Sequence, residues 1–228
     1  MVSPTGRARM DSLEKRQPRL TTLYLVYLQK HDTRSFINQV MECYDEATLI
    51  RLTGAVCVET RRAAALVLGF IGTYQANAAL GRLLKDCDRS VRLLAESSLK
   101  SVWSRDGSEE QRQKLYAVMH LIAAHQFGEA VSRANILLEE FPLYVEARNQ
   151  RAIALFALKK FEESIEDSRL VLDLNPYHFG AAIGMGHAYL FLQDKSAAID
   201  CFQQALSINP NLEAIRRHLD QLTQSWMR

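Results

Sequence analysis

Three of the chain's five prolines, Pro142, Pro176 and Pro210, stand 34 residues apart, and the same phrase surrounds each one: LLEEFPLYVEA, LVLDLNPYHFGA and ALSINPNLEA. A unit of that length is too short to bury an apolar face by itself. It has to stack on copies of itself, and at this period the stacking unit is a hairpin of two helices. Proline suits the joint because it has no N–H to continue a helix. The expected fold class is therefore all-α: an elongated α-solenoid in which each hairpin rests on its neighbours.

The register follows when residues 111–144, 145–178 and 179–212 are laid over one another. Val118, Ala152 and Gly186 fall on one site of the first helix, and Leu121, Leu155 and Tyr189 on another. In the second helix Ala130, Ser164 and Ala198 coincide, as do Val131, Ile165 and Ile199, and Leu138, Leu172 and Leu206. Phe127 matches Phe161. Small residues where helices cross, large ones beside them and a closing proline resemble the tetratricopeptide repeat (TPR) family, over about half of the chain. The aromatic residue usual near the start of the first helix is replaced by Lys114, Arg148 and Ala182. After Pro210, the segment from Leu212 to Trp226 is expected to form a capping helix. Leu212, Ile215, Leu219 and Leu222 would be its packing stripe, and Arg216, Arg217, Asp220 and Gln224 would face water.

The N-terminal part divides differently. Residues 1–19 are polar and basic and are expected to be a flexible tail. From 20 to 106 helical patterns succeed one another: Leu20 to Lys30, Ser35 to Tyr44, Glu46 to Val56, Val58 to Gly72, Gln75 to Lys85 and Ser90 to Ser104. Asp45 and Asp88 are placed to accept orphan N–H groups at helix starts, and Gly72 suits a helix end. TRRAAALVLGFIG from Thr60 aligns with VRLLAESSLKSVW from Val91 at an offset of 31, pairing Arg61 with Arg92, Ala64 with Ala95, Leu68 with Leu99 and Ile71 with Val102. With Glu59 and Asp88 before these helices, the stretch 58–103 resembles a short HEAT repeat of the phycobilisome-lyase-like kind; the match is weaker over 32–57. The polar run Arg105-Asp106-Gly107-Ser108 reads as a joint, with a helix starting near Glu109 or Glu110. The domains expected are thus the tail (1–19), HEAT-like repeats (20–106) and, over 111–228, three TPR units with a cap.

Little chemistry is apparent. There is no phosphate loop, nucleophile elbow or metalloprotease helix. Gly184-Met185-Gly186 lies within a helical pattern, so it reads as close packing. His120 and His125, five apart, point in different directions on a helix. The run from Glu162 to Asp167 reads as a solvated helix face. The four cysteines, Cys43, Cys57, Cys87 and Cys201, are scattered and read as small apolar core residues in a reducing compartment. No catalytic residue, cofactor or metal is expected.

Lys and Arg number 28 against 26 Asp and Glu, and residues 20–110 balance at zero. Arg61, Arg62, Arg82, Lys85, Arg89 and Arg92 could form a stripe, but Glu59, Asp86 and Asp88 interleave with them. Pairing between successive repeats is expected there rather than binding of nucleic acid. The N-terminus lacks the apolar core of a secretory signal, and the run Leu23 to Leu28 is too short to span a bilayer. A cytoplasmic location with no membrane contact is expected.

The expected function is that of a non-catalytic protein-interaction adaptor or scaffold. The HEAT resemblance leaves two alternatives, an enzyme or enzyme subunit of the bilin-lyase kind and a weak nucleic-acid-binding solenoid. In the TPR family the first helix of each repeat lines a concave face. The resemblance therefore implies a groove of Leu115, Met119 and Ile122, then Asn149, Ile153 and Phe156, then Ile183, His187 and Leu190. This lining is mostly apolar. It would take an amphipathic helix or apolar peptide from a protein partner, with Asn149 bonding its backbone and His187 making the contact sensitive to pH, or it would be filled by the chain itself or by a second copy. Chaperone-binding relatives clamp a C-terminal carboxylate with Lys, Asn and Arg. The matching places here hold Leu115, Met119, Gln150, Gly180 and Gly184, so no binding of chaperone tails ending in EEVD is expected.

Overall fold

The computed structural model describes residues 18–226, and all regular structure among them is helical. The basic segment 1–17 lies outside the described residues. Thirteen α-helices follow in order: α1 (Arg19–Lys30), α2 (Thr33–Met41), α3 (Glu46–Leu52), α4 (Val58–Ile71), α5 (Asn77–Leu83, after a 3-10 turn at Tyr74–Ala76), α6 (Arg89–Arg105), α7 (Glu109–Ala123), α8 (Phe127–Glu140), α9 (Val145–Ala157), α10 (Phe161–Leu174), α11 (Phe179–Phe191), α12 (Lys195–Ile208) and α13 (Glu213–Trp226). The chain divides into two compact units, 1–98 and 99–228. The division falls inside α6, so the first part of that helix is described with the first unit and its last turns with the second.

In the first unit α2 and α3 begin as their sequences dictate. The Ser35 N–H donates to the Asp32 carboxylate at 3.0 Å, and the Thr48 N–H donates to Asp45 at 2.8 Å. Asp88 likewise accepts from the Val91 N–H at 2.9 Å in the first turn of α6. α4 carries the core, with Ala63, Ala64, Ala65, Val67 and Leu68 fully buried. Its small side chains let α6 come close: a Cβ on Gly69 would lie 2.4 Å from the Ser98 hydroxyl, which donates to the Ala65 carbonyl at 2.8 Å. Leu20 and Tyr24 of α1 are buried as well, and the Thr21 and Thr60 hydroxyls meet at 2.7 Å, tying α1 to α4. Gly72 closes α4 with φ −65°, extended rather than left-handed. Its lack of a side chain matters for space instead, because a Cβ there would sit 2.5 Å from the Leu68 carbonyl oxygen.

The 31-residue offset has a physical counterpart. Arg61 donates from Nη1 to the carbonyls of Ala55 and Val56, and Arg92 donates from Nη1 to those of Asp86 and Cys87. Each arginine thus satisfies the carbonyls of the loop ahead of its own helix. Arg61 also reaches forward through Nε and Nη2 to Asp86 at 2.7 and 2.9 Å, and Arg62 forks onto Asp88 at 2.9 and 2.6 Å. The Arg62 hydrogen bonds hold the Asp88 carboxyl at about 2, well below its ordinary value.

The second unit contains three hairpins, α7/α8, α9/α10 and α11/α12, with α13 after them. α7 opens on a capping box in which the Gln111 N–H donates to Ser108 Oγ and the Ser108 N–H donates to Gln111 Oε1. Within each hairpin the turn residue is left-handed: His125 (φ 58°), Lys159 (φ 63°) and Gln193 (φ 62°). Their spacing is again 34, and no glycine stands at any of them. The N–H of the next residue returns five positions, to the Leu121, Leu155 and Tyr189 carbonyls, at 2.8 to 2.9 Å. The second helices end at Glu140, Leu174 and Ile208, two residues before each of the three prolines. The Asn175 and Asn209 side chains, fully buried, accept the Tyr177 and Asn211 N–H groups and shape two of these joints.

Packing follows the register. Val118, Ala130, Ala152, Ala198 and Phe202 are buried. Gly186 is required where it stands, since a Cβ there would lie 2.5 Å from the Phe202 ring. α13 lays Ile215, Leu219 and Leu222 onto Ala198 and Phe202, with Leu212 joining them from just before the helix, and leaves Arg216, Arg217, Asp220 and Gln224 exposed.

The cysteines depart from expectation. All four are free; only Cys201 is buried, its thiol pushed up to about 11 by burial, whereas Cys43 and Cys87 are exposed. Both exposed thiols sit in inter-helix connections, and the Cys87 sulfur lies among polar groups, beside Arg61 and Asp86.

Candidate peptide-binding cavity

α9, α10 and α11 enclose a cavity of about 210 Å³. Its walls are Asn149, Ala152, Ile153 and Phe156 from α9, and Gly180, Ala181, Gly184 and His187 from α11; Ser164 and Ser168 of α10 complete the lining. The hollow exists because small residues stand one turn apart on two facing helices, Ser164 and Ser168 on one and Gly180 and Gly184 on the other. Gly184 is small by location and not by backbone need: a Cβ there would meet only Ser168 Oγ, at 3.9 Å. Ile153 is 44 % exposed at the mouth. Beside it Phe156 joins an aromatic group in which Phe161 and Phe191 stack at 4.9 Å, Phe191 being largely exposed.

Of the nine groove residues expected from the sequence, Asn149, Ile153, Phe156 and His187 come together here. Leu115 does not line a groove. It is fully buried against Leu137, Leu138, Tyr144 and Ala147, because α8 and the start of α9 close over it. Met119 packs half-buried on the same cluster, and Ile122 on the Val118–Ala154 cluster. Ile183 and Leu190 are half-buried against the Phe202–Ile215 core. The sequence reading passed over Ala152, Ser164, Ser168 and Ala181 as lining. The paired small residues at a spacing of four were the available signal.

Behind the Asn149 wall lies a buried polar network. The Glu146 carboxylate, 7 % exposed, accepts from Asn149 Nδ2 at 3.0 Å and Gln150 Nε2 at 2.7 Å, and faces His178 Nε2 at 3.3 Å. His178 Nδ1 accepts the Ala181 N–H at 3.1 Å at the start of α11, which places the ring proton on Nε2, toward Glu146. Burial alone would raise the Glu146 carboxyl; the hydrogen bonds from His178, Gln150 and Asn149 outweigh it and hold the group below its ordinary value. The other face of His178 stacks on the buried Trp103 at 4.3 Å. At the opposite end of the cavity, burial and the neighbouring His218 ring, 5.7 Å away, lower the His187 pKa.

Other candidates resolve as structure. Arg61 and Arg62 are spent on Asp86 and Asp88. In the acidic run Glu162, Glu163 and Glu166 are exposed, while Asp167 is buried and takes Arg151 in a fork at 2.7 and 2.6 Å. Among the described residues no group of three or more His, Cys, Asp or Glu could hold a metal ion, and no helix is long and apolar enough to cross a membrane.

Residues 145–178 and 181–212, which supply every wall residue of this cavity except Gly180, match family models described as tetratricopeptide repeat. The chain carries two tetratricopeptide repeats. The first TPR domain of Spaghetti (RPAP3), bound to the HSP90 peptide SRMEEVD, superposes with a TM-score of 0.51 at 22% identity, covering 54% of this chain and 97% of that one. The Sgt2 TPR domain from Aspergillus fumigatus gives 0.49 at 19% identity over 53% and 81%, and the TPR2B domain of yeast Sti1 in its pHsp70 complex gives 0.47 at 20% over 53% and 100%. At 22% identity the likeness to the Spaghetti domain concerns the fold alone.

Proposed function

We propose that the protein is a non-catalytic adaptor whose TPR segment receives an amphipathic helix or apolar peptide from a protein partner. The observation that carries this reading is the open apolar cavity between α9, α10 and α11 with Ile153 exposed at its mouth. A water-exposed hollow of this kind, rimmed by aromatic rings, is what helix-in-groove recognition uses. The peptide seen on the Spaghetti domain is consistent with a protein ligand. On this reading the α7/α8 hairpin is a third repeat of the same array, and the first unit is a HEAT-like stack, supported by the duplicated arginine device at Arg61 and Arg92. The protein works in the cytoplasm.

The test is affinity purification from the native host with a variant that closes the cavity and leaves the core alone. Ile183→Glu is unsuitable, because Ile183 packs into the core. Ile153→Glu with Gly184→Leu blocks the mouth and fills the floor, and the second change also removes a helix glycine. Loss of a specific partner from the folded variant is the expected result. An unchanged set of partners would sink the proposal.

A further inference from the structure

The cavity is apolar, yet three polar groups on its wall lack a partner within the protein. Asn149 is 9 % exposed, and its amide nitrogen is committed to Glu146. A carbonyl oxygen cannot take that place against a carboxylate, so the orientation is fixed and Oδ1 is the atom left over. Ser168 is 2 % exposed and lines the cavity with its hydroxyl unused. His187 contributes a ring whose contacts are Phe202 and His218. The cavity opens to solvent, so a ligand that displaces water from these acceptors must supply a donor in its place. No charged side chain lines the cavity, and the Glu146 carboxylate stands behind Asn149. An incoming carboxylate would find no cation on the wall to pair with, whereas a neutral group presenting an N–H finds acceptors.

Size narrows the choice. A dry apolar cavity of about 150 Å³ takes up benzene, and about 210 Å³ admits a larger bicyclic ring. It falls short of the roughly 300 Å³ at which cofactor-sized pockets begin. Among side chains, the indole of tryptophan combines that size with a donor and no acceptor.

Resting on the adaptor reading, we infer that this cavity is a socket for one tryptophan side chain from an internal segment of the partner, its indole N–H donated to Asn149 Oδ1. The terminal carboxylate of a partner tail does not enter.

The experiment titrates the 15N-labelled full chain with 3-methylindole and with 3-methylbenzothiophene, which has the same shape without the N–H. 3-Methylindole is expected to shift the amides of Ile153, Phe156 and Gly184 and to bind about tenfold tighter, the worth of one buried hydrogen bond. Indole-3-acetate should bind more weakly than 3-methylindole. Gly184→Leu should abolish binding of both neutral probes, and Asn149→Ala should erase the preference between them. If Asn149→Ala does not fold, the probe comparison on the unaltered chain still decides. Equal affinity for the two probes, tighter binding of 4-methylphenol, or no shift at the cavity would each overturn the tryptophan socket. None of these would touch the adaptor reading, which fails separately if Gly184→Leu with Ile153→Glu retains every partner.

Discussion

The two units join successive helical hairpins by different physics. In the first, Arg61 and Arg62 reach forward to Asp86 and Asp88 with paired, charge-assisted, part-buried hydrogen bonds at 2.6 to 2.9 Å. In the second, α9/α10 meets α11/α12 through an apolar layer of Val145, Ile165, Val171, Leu172, Ala181 and Met185, with the Glu146–His178 pair buried alongside. Its own fork, Arg151 on Asp167, stays within one hairpin. Ionic ties are directional, screened by salt and lost in acid; apolar layers are none of these. The same topological task therefore leaves different signatures in sequence and in response to solvent.

The largest expected effect tests the apolar side. Phe202 is fully buried, and Phe202→Ala should cost about 3–5 kcal/mol. Hydrogen exchange should show the loss within 99–228 and little change with salt. Arg61→Ala should cost less, about 1–3 kcal/mol, since it strands the Asp86 carboxylate and two loop carbonyls. That loss should appear in α4 and α6, and the contribution of the pair should shrink in 1 M salt. An equal and salt-independent response of the two units would break the comparison.

Acid sharpens it further. The folded pKa of Asp88 is depressed to about 2, so its contribution is complete above the ordinary aspartate value of about 3.9 and is lost as pH falls toward 2. Protection of the first unit should drop across that window, and Asp88→Asn should flatten the dependence. Glu146 is also depressed, so its contribution to the second unit should be complete above the ordinary glutamate value of about 4.3 and be lost as pH falls further, and Glu146→Gln should remove that part of the dependence.

Much of this architecture could be read directly. The 34-residue register, the small residues at helix crossings, the cap stripe of α13 and the helix starts at Asp45 and Asp88 all follow from side-chain chemistry at fixed spacing. The cavity was only half legible. Resemblance pointed to the first helices, but whether a residue there faces solvent depends on what closes over it, and Tyr144 with Leu137 covers Leu115. The floor was missed because serine and glycine read as packing residues until the space beside them is known to be empty. Glu146 and His178 looked like ordinary polar residues 32 apart; nothing local reveals that the fold brings them together. The turn residues His125, Lys159 and Gln193 escaped notice because glycine is the usual mark of a left-handed backbone.

Those turns give the smallest effect. Gln193→Gly relieves a side chain at φ 62° and should stabilise the second unit by a few tenths of a kcal/mol to about 1, net of the added freedom of the unfolded chain. A thermal melt of the folded variant measures it.

The stack of Trp103 on His178 has an optical consequence. The sequence contains two tryptophans, Trp103 and Trp226. Replacing Trp226 with phenylalanine leaves one emitter, buried and flat against an imidazole that bonds Glu146, which in turn holds the Asn149 amide at the cavity wall. A guest that pulls on Asn149 disturbs the surroundings of that emitter through two hydrogen bonds and a ring contact. If the cavity takes a guest, the emission of Trp103 should report its occupancy without any label, provided that guest carries no indole of its own.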